Sequence, residues 1–305
     1  VANAARAGRA LRWLESRLRG VAVAAGLCRV CAAADVWVVT SNGAAAYQEA
    51  VQGLQEALGG RCAVLEASPS LADRLAGGNA KLVVAVGSAA VEQALACRLE
   101  APVIAAMVAG GEWRRPRARS ESPLATVSLE IPFPAALERL RRIFPNRRRL
   151  GLIHNPARAG PPPAELRETA RRLGFALEVA ECPEVKQLLA ALVSLERRVD
   201  LVLCLPDSTL YNRATVEPLV LSSLKHRLPI VGFSESFVRA GAAVGLYPDF
   251  RDAGRQAGEL ALRFLQGEAV AGLHPPRKVR AAVNQRVLRL LGLEPPAPGE
   301  AAVLK

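Results

Sequence analysis

The chain says nearly the same thing twice, and this repetition constrains its fold more than any other feature. Val36-Trp37-Val38-Val39 is a short apolar, β-branched run ending in the polar turn Thr40-Ser41-Asn42-Gly43. A helical stretch follows from Tyr47 to Leu58, with Val51, Leu54 and Leu58 three and four residues apart, and Gly59-Gly60 stops it before the strand Cys62 to Leu65. Leu82 to Val86 is a continuous apolar strand entering Gly87-Ser88; a helix over Ala89 to Leu99 then delivers the strand Val103 to Ala106. The second half repeats the order. Leu150 to Ile153 is a strand ending in His154-Asn155-Pro156, a helix from Glu165 to Leu173 stops at Gly174, and Phe175 to Val179 is the next strand. A helix over Val185 to Arg197 leads to the strand Asp200 to Leu205, whose polar sequel is Pro206-Asp207-Ser208-Thr209; a helix through Leu224 then delivers the strand Pro229 to Phe233.

Strands that alternate with helices and are apolar throughout belong to parallel sheets covered on both faces. The expected fold class is therefore α/β, with two doubly wound, Rossmann-like lobes; the 305-residue length suits two domains of modest size. Such sheets meet ligands at the carboxyl ends of their strands, where loops and helix amino-termini present N–H groups. The polar turns after the strands are thus the candidate site.

A net charge of +12 raises nucleic acid or an anionic membrane as a partner. The positive residues are mostly Arg beside abundant Ala, as biased codon usage gives, and aromatic residues for base stacking are scarce, so no nucleic-acid partner is expected. The Arg clusters Arg114 to Arg119 and Arg139 to Arg149 fall in connecting or helix-end segments. The six cysteines lack the paired spacing of a zinc site; the Cys28–Cys31 CxxC has no second pair near it, and Cys204 sits in an apolar run as a small core residue. Neither a metal nor a cofactor is expected.

Residues 1–34 read as a leader. Arg17 and Arg19 precede the apolar stretch Val21 to Cys28, and Ala32 and Ala34 stand where a signal peptidase reads small residues, although Arg29 interrupts the hydrophobic part. The alternative is an amphipathic helix leading into the first domain. No run is long enough to span a bilayer.

The stretches VDLVLCLPDSTLYN (199–212), LPIVGFSESFVRAGAAVGLYPDF (228–250) and RDAGRQAGELALRFLQGE (251–268) resemble the carboxyl half of the ABC-transporter substrate-binding protein family that includes tryptophan- and tyrosine-binding members. VWVVTSNGAAAYQEAVQGLQEAL, LVVAVGSAAVEQAL and VNQRVLRLLGLEPP are similar to other segments of that family, so the resemblance covers most of residues 35–297. It implies a type I periplasmic-binding-protein fold whose lobes join through a multi-strand hinge and close around a small polar, amino-acid-like solute. It also implies an extracytoplasmic, periplasmic location, a permease partner and a monomer. The lobes would comprise residues 35–127 with 251–272, and 128–250 with 273–297; the helix from Asp252 to Leu265 would cross back to the first lobe and Lys278 to Asn284 would recross. Two departures keep the ligand open: Asn155-Pro156 is followed by Ala157-Arg158-Ala159-Gly160 where family members commonly carry Asn-Ser, and Arg-rich Glu112 to Arg119 replaces a Gly- and Asn-rich turn.

The candidate site residues each have a plain structural alternative. Ser41 and Asn42 are positioned either to bond a ligand carboxylate or to cap a helix, and Tyr47 either to stack on a ligand or to lie on a helix flank. Gly87 and Ser88 open a helix where a backbone can approach a ligand. Met107 lines a site or packs in the core; Asn155 contacts a ligand or shapes the turn before Pro156. Asp207, Ser208 and Thr209 end the strand Leu201 to Leu205, and Asp207 is either the N-cap of the following helix or the partner of a ligand amine. Ser234 and Glu235 end the last strand of the second half, and Tyr247 lies at a crossing. His154 has no Ser or Cys nucleophile beside it, and the chain shows no dinucleotide fingerprint or P-loop, so an enzyme is not expected. A two-domain enzyme, of glycosyltransferase or racemase type, and the sensing domain of a regulator are the competing functions.

Overall fold

A computed structural model describes residues 34–109, 123–157 and 162–304. The leader expectation, the CxxC and the Arg114 to Arg119 cluster fall outside the described residues, apart from Ala34 itself.

The chain divides into two compact units. Among the described residues the first comprises 34–108, 123–127 and Gly254–Leu273. Its sheet contains β1 (Val36–Thr40), β2 (Cys62–Glu66), β3 (Leu82–Val86), β4 (Val103–Val108), β5 (Ala125–Ser128) and β11 (Gly272–His274), in the order β11-β5-β4-β3-β1-β2. The pairs β1–β2, β1–β3 and β3–β4 are parallel. All five residues of β3 are buried, as a central strand covered on both faces requires. The connecting helices are α1 (Ala45–Ala57), α2 (Leu71–Ala76) and α3 (Ser88–Ala96).

The second unit contains 109, 128–253 and 274–304 among the described residues. Its sheet contains β6 (Arg149–His154), β7 (Ala176–Glu181), β8 (Leu201–Leu203), β9 (Ile230–Gly232), β10 (Val244–Pro248), β12 (Val279–Asn284) and β13 (Ala302–Leu304), in the order β13-β12-β10-β9-β8-β6-β7. All its pairs are parallel except β12 against β10. Helices α4 (Phe133–Ile143), α5 (Pro163–Arg172), α6 (Leu188–Ser194), α7 (Val216–Lys225) and α8 (Glu235–Arg239) connect them, and α10 (Gln285–Leu290) follows β12. One core face joins Leu137, Leu140 and Phe175 to Leu150, Leu152, Leu201 and Leu203.

Helix α9 (Phe250–Leu265) carries the chain from the second unit into the first. Within the first unit it packs on α1 so closely that a Cβ at Gly254 would lie 1.8 Å from the Ala50 carbonyl oxygen; only glycine lets the two backbones approach this far.

Three departures from the sequence reading in the second unit have clear local causes. The expected helix over Val185 to Arg197 is a 3-10 turn, Val185–Gln187, followed by α6. The strand expected over Asp200 to Leu205 is only Leu201–Leu203, because the Asp200 carboxylate turns back to accept the Arg148 and Arg149 N–H groups and Pro206 offers no donor to a ladder. Helix α4 was not anticipated, since prolines flank its start; they stand at the first turn, where a missing N–H costs no helical bond.

Candidate functional site

In the first unit β1 and β3 end side by side, Thr40 opposite Val86, and Ser41 is the next residue. Its hydroxyl donates to the Val86 carbonyl (3.1 Å) and accepts the Ala90 N–H (2.9 Å), so it caps α3 from the neighbouring strand. Gly87 stands between Ser41 and Tyr47. With φ of +91°, it carries no Cβ where one would lie 2.5 Å from Ser41 Oγ and 2.7 Å from Tyr47 Cζ. The sequence-predicted Ser41, Gly87 and Tyr47 therefore meet at one strand end, with Ser88 half-buried at the start of α3. Asn42 is exposed, and its side-chain oxygen accepts the Ala44 N–H (2.9 Å) in a local turn. Neither Ser41 nor Asn42 caps α1, whose N-cap is Ala44 with no side-chain bond. The capping alternative is thus corrected: Ser41 caps a helix, but the one after β3. Met107 is a buried β4 residue with a left-handed φ of 60°.

In the second unit β6 and β8 end side by side, and three of the predicted residues form one network. Asn155 Nδ2 donates to Asp207 Oδ2 (3.3 Å) and to Thr209 Oγ1 (3.0 Å), while its oxygen accepts the Ala157 N–H (3.0 Å) and fixes the amide's orientation. Asp207 Oδ1 accepts the Thr209 hydroxyl (2.6 Å), the Thr209 N–H (2.8 Å) and the Leu210 N–H (3.3 Å). Asn155 and Asp207 are only 8% and 6% exposed, so this is a carboxyl group held under the surface by surrounding donors. Ser208 is exposed beside it.

Asp207 is not the N-cap of α7. It caps a separate turn, closed by the Tyr211 N–H to the Asp207 carbonyl (2.8 Å), and α7 begins only at Val216. The helix starts late because Thr215 Oγ1 donates to the Leu210 carbonyl (2.6 Å) and accepts the Asn212 N–H (2.9 Å), local bonds that compete with helical ones.

At the neighbouring strand end Ser234 caps α8, accepting the Phe237 N–H at 3.2 Å. Glu235 Oε1 pairs with Arg239 (2.5 Å) and Oε2 accepts the Tyr247 hydroxyl (3.5 Å), so Ser234, Glu235 and Tyr247 also come together.

The sequence reading missed Tyr211. Its ring lies 5.9 Å from both Phe233 and Phe237, tying the turns after β8 and β9 into one aromatic floor. Its place four residues after Asp207, in DSTLYN, was the available signal. Burial pushes the Tyr211 phenol well up and the Cys204 thiol up to about 12; at Cys182 burial and then the Asp207 charge act in the same direction. These thiols are inert rather than activated. His154 Nδ1 has no hydrogen-bond partner among the described residues, and no group of three His, Cys, Asp or Glu among them could hold a metal ion.

A family model described as "ABC transporter substrate binding protein" matches residues 64–294. A ligand-free, open substrate binding protein with adhesive properties from Clostridium difficile is similar in structure, with a TM-score of 0.68, 17% identity and coverage of 88% of this chain and 98% of its own. A conserved domain protein from Vibrio cholerae gives a TM-score of 0.55, 19% identity and coverage of 90% and 100%. An ABC domain in complex with L-Trp from Streptococcus pneumonia gives a TM-score of 0.54, 18% identity and coverage of 88% and 100%. No curated protein matches the chain by sequence.

Proposed function

This chain belongs to the ABC transporter substrate-binding protein family, with the type I periplasmic-binding-protein fold, and from that premise we propose that its solute is small, polar and amine-bearing, as an amino acid is. The observation that carries this reading is the Asn155–Asp207–Thr209 network. A nearly buried carboxyl group held in place by hydrogen bonds at a strand end is a specific partner for an ammonium group, and a costly arrangement for a neutral ligand alone. In the first unit, the turns holding Ser41, Gly87, Ser88 and Tyr47 bring close backbone and an aromatic ring together at one strand end, groups suited to a carboxylate and an apolar side chain.

The protein acts outside the cytoplasm as a monomer, hands the solute to its permease unchanged, and performs no chemistry on it. The raised thiols support that last point, since a nucleophilic cysteine needs the opposite shift. No helix among the described residues is long and apolar enough to cross a membrane.

A thermal-shift panel of L-amino acids, neutral sugars and polyols tests the ligand class. A ligand present at about 100 times its Kd stabilises by about 2.7 kcal/mol, so amino acids are expected to raise the melting temperature by several degrees. A rise with sugars alone would overturn the amine-bearing ligand and leave the family standing.

A further inference from the structure

Among the described residues the two units differ in charge at the end of the sheet remote from these turns. In the second unit β6, β7, β8 and β9 run parallel with their starts aligned, Arg149 beside Ala176, Leu150 beside Leu201, and Val202 beside Ile230. The four connections that deliver these strands therefore converge at one pole, and each is basic. The first brings exposed Arg141 and Arg142 from the last turn of α4, then Arg147 and Arg148. The second brings Arg171 and Arg172 from the last turn of α5; the third brings exposed Arg197 and Arg198, and the fourth exposed Lys225 and Arg227. Acidic groups answer some of them: Asp200 holds Arg149, Glu168 holds Arg171 and Glu178 holds Arg198. Arg141, Arg142, Arg147, Arg197, Lys225 and Arg227 have no ion pair among the described residues.

Two ordinary explanations fall short. Cations in the last turn of a helix answer its dipole, but Arg147, Arg197 and Arg227 lie beyond the helix ends. Codon bias enriches Arg across a whole chain, yet among the described residues the connections that deliver β1 to β4 in the first unit are nearly balanced: Arg61, Arg74, Lys81 and Arg98 stand there with Asp35, Asp73 and Glu100, and Lys81 is paired to Asp35 at 3.0 Å.

We propose that this pole of the second unit is a docking surface for an anionic lipid bilayer, holding the protein at the membrane electrostatically and without insertion. The surface is broad and built from several loops, as a plane of headgroups requires. Phe144 and Phe175, the aromatic residues in these connections, are 5% and 4% exposed, so no ring is offered to a nucleic-acid base or to the membrane interface. The inference is independent of which solute the protein carries.

The test is co-sedimentation of the full chain with vesicles of phosphatidylcholine alone and of phosphatidylcholine mixed with phosphatidylglycerol. Each basic side chain near an anionic surface is worth roughly a fivefold change in partition. Arg141→Ala, Arg142→Ala and Arg147→Ala together are expected to weaken binding to the mixed vesicles on the order of a hundredfold. A charge-matched control, Arg61→Ala, Arg74→Ala and Lys81→Ala, removes the same charge from the first unit and is expected to bind as wild type. Raising salt to about 0.5 M is expected to release the protein, since exposed charges are then screened within a few ångströms. Equal binding to both vesicle types, or equal losses in the two triple variants, would overturn the proposal. So would binding to duplex DNA that is tighter than to the mixed vesicles and is lost in the first triple variant; that result would assign the surface to nucleic acid.

Discussion

After β1 the first unit spends its polar side chain on its own framework: the Ser41 hydroxyl spans Val86 and Ala90, and glycine at position 87 lets Tyr47 close over it. After β6 the second unit gathers an amide, a hydroxyl and a carboxylate from two strand ends into one charged network. Both loops occupy the same place in a parallel sheet, yet one is neutral and held by close packing while the other is anionic and held by hydrogen bonds. The difference teaches that the repeated strand–turn–helix plan sets where polar groups gather, and that the turn residues of each unit set which chemistry is presented there.

The largest effect should come from breaking the packed side. Gly87→Ala forces an L residue into φ of +91° and places its Cβ against Ser41 and Tyr47. The two penalties together come to about 2–5 kcal/mol, read as a loss in urea midpoint. A change below about 1 kcal/mol would mean that this loop is not set by close packing.

The second effect sharpens the charged side. In Asp207→Asn an amide N–H₂ replaces the oxygen that faces Asn155 Nδ2, and the Ala157 N–H prevents Asn155 from turning over. A donor then faces a donor in a buried place, costing about 1.5–3 kcal/mol by thermal or urea unfolding. Asn is therefore not a neutral stand-in here, as it would be at a simple helix cap. Stability unchanged in Asp207→Asn would show that the network is not holding the loop.

A third comparison contrasts two acids that precede a strand. Asp200, before β8, loses by burial but gains more from the Arg149 backbone and guanidinium and the Arg148 N–H, so its carboxyl is held below the usual range. A carboxyl whose folded pKa is depressed contributes stability that is fully present above its unfolded pKa, about 3.9, and is lost as pH falls through the folded value. Asp200→Asn is accordingly expected to cost about 1–2 kcal/mol at neutral pH, and the gap to wild type should close below about pH 4. Asp35, before β1, meets Lys81 with both side chains more than half exposed, and Asp35→Asn should change stability by no more than about 0.5 kcal/mol. Equal costs at the two positions would erase the contrast. The smallest resolvable change on the packed side is Ser41→Ala, expected to cost about 1 kcal/mol through loss of the α3 cap.

Much of this was legible in the sequence, and the limits have physical causes. Apolar runs such as Leu82–Val86 announced buried strands because a central parallel strand has no polar face. Strand-end residues such as Ser41, Gly87, Asn155 and Asp207 stood out because polar or glycine turns interrupt those runs. What sequence could not supply was the partner across the sheet. Ser41 reads locally as the cap of the next helix, but its acceptor and donor lie 45 and 49 residues away. Asp207 reads as the cap of α7 until Thr215 is seen to delay that helix. Tyr211 was overlooked because its partners Phe233 and Phe237 lie in another loop.

The central claim is that the Asp207 carboxylate receives an amine-bearing solute. Native mass spectrometry of the wild-type protein and of Asp207→Ala, each purified from its own host, tests it directly, with a melt of each sample confirming that both are folded. The account predicts a small amine-bearing solute retained by the wild type and absent from the variant. A folded Asp207→Ala that retains the same solute, or a wild type that retains a solute without an amine, would contradict it.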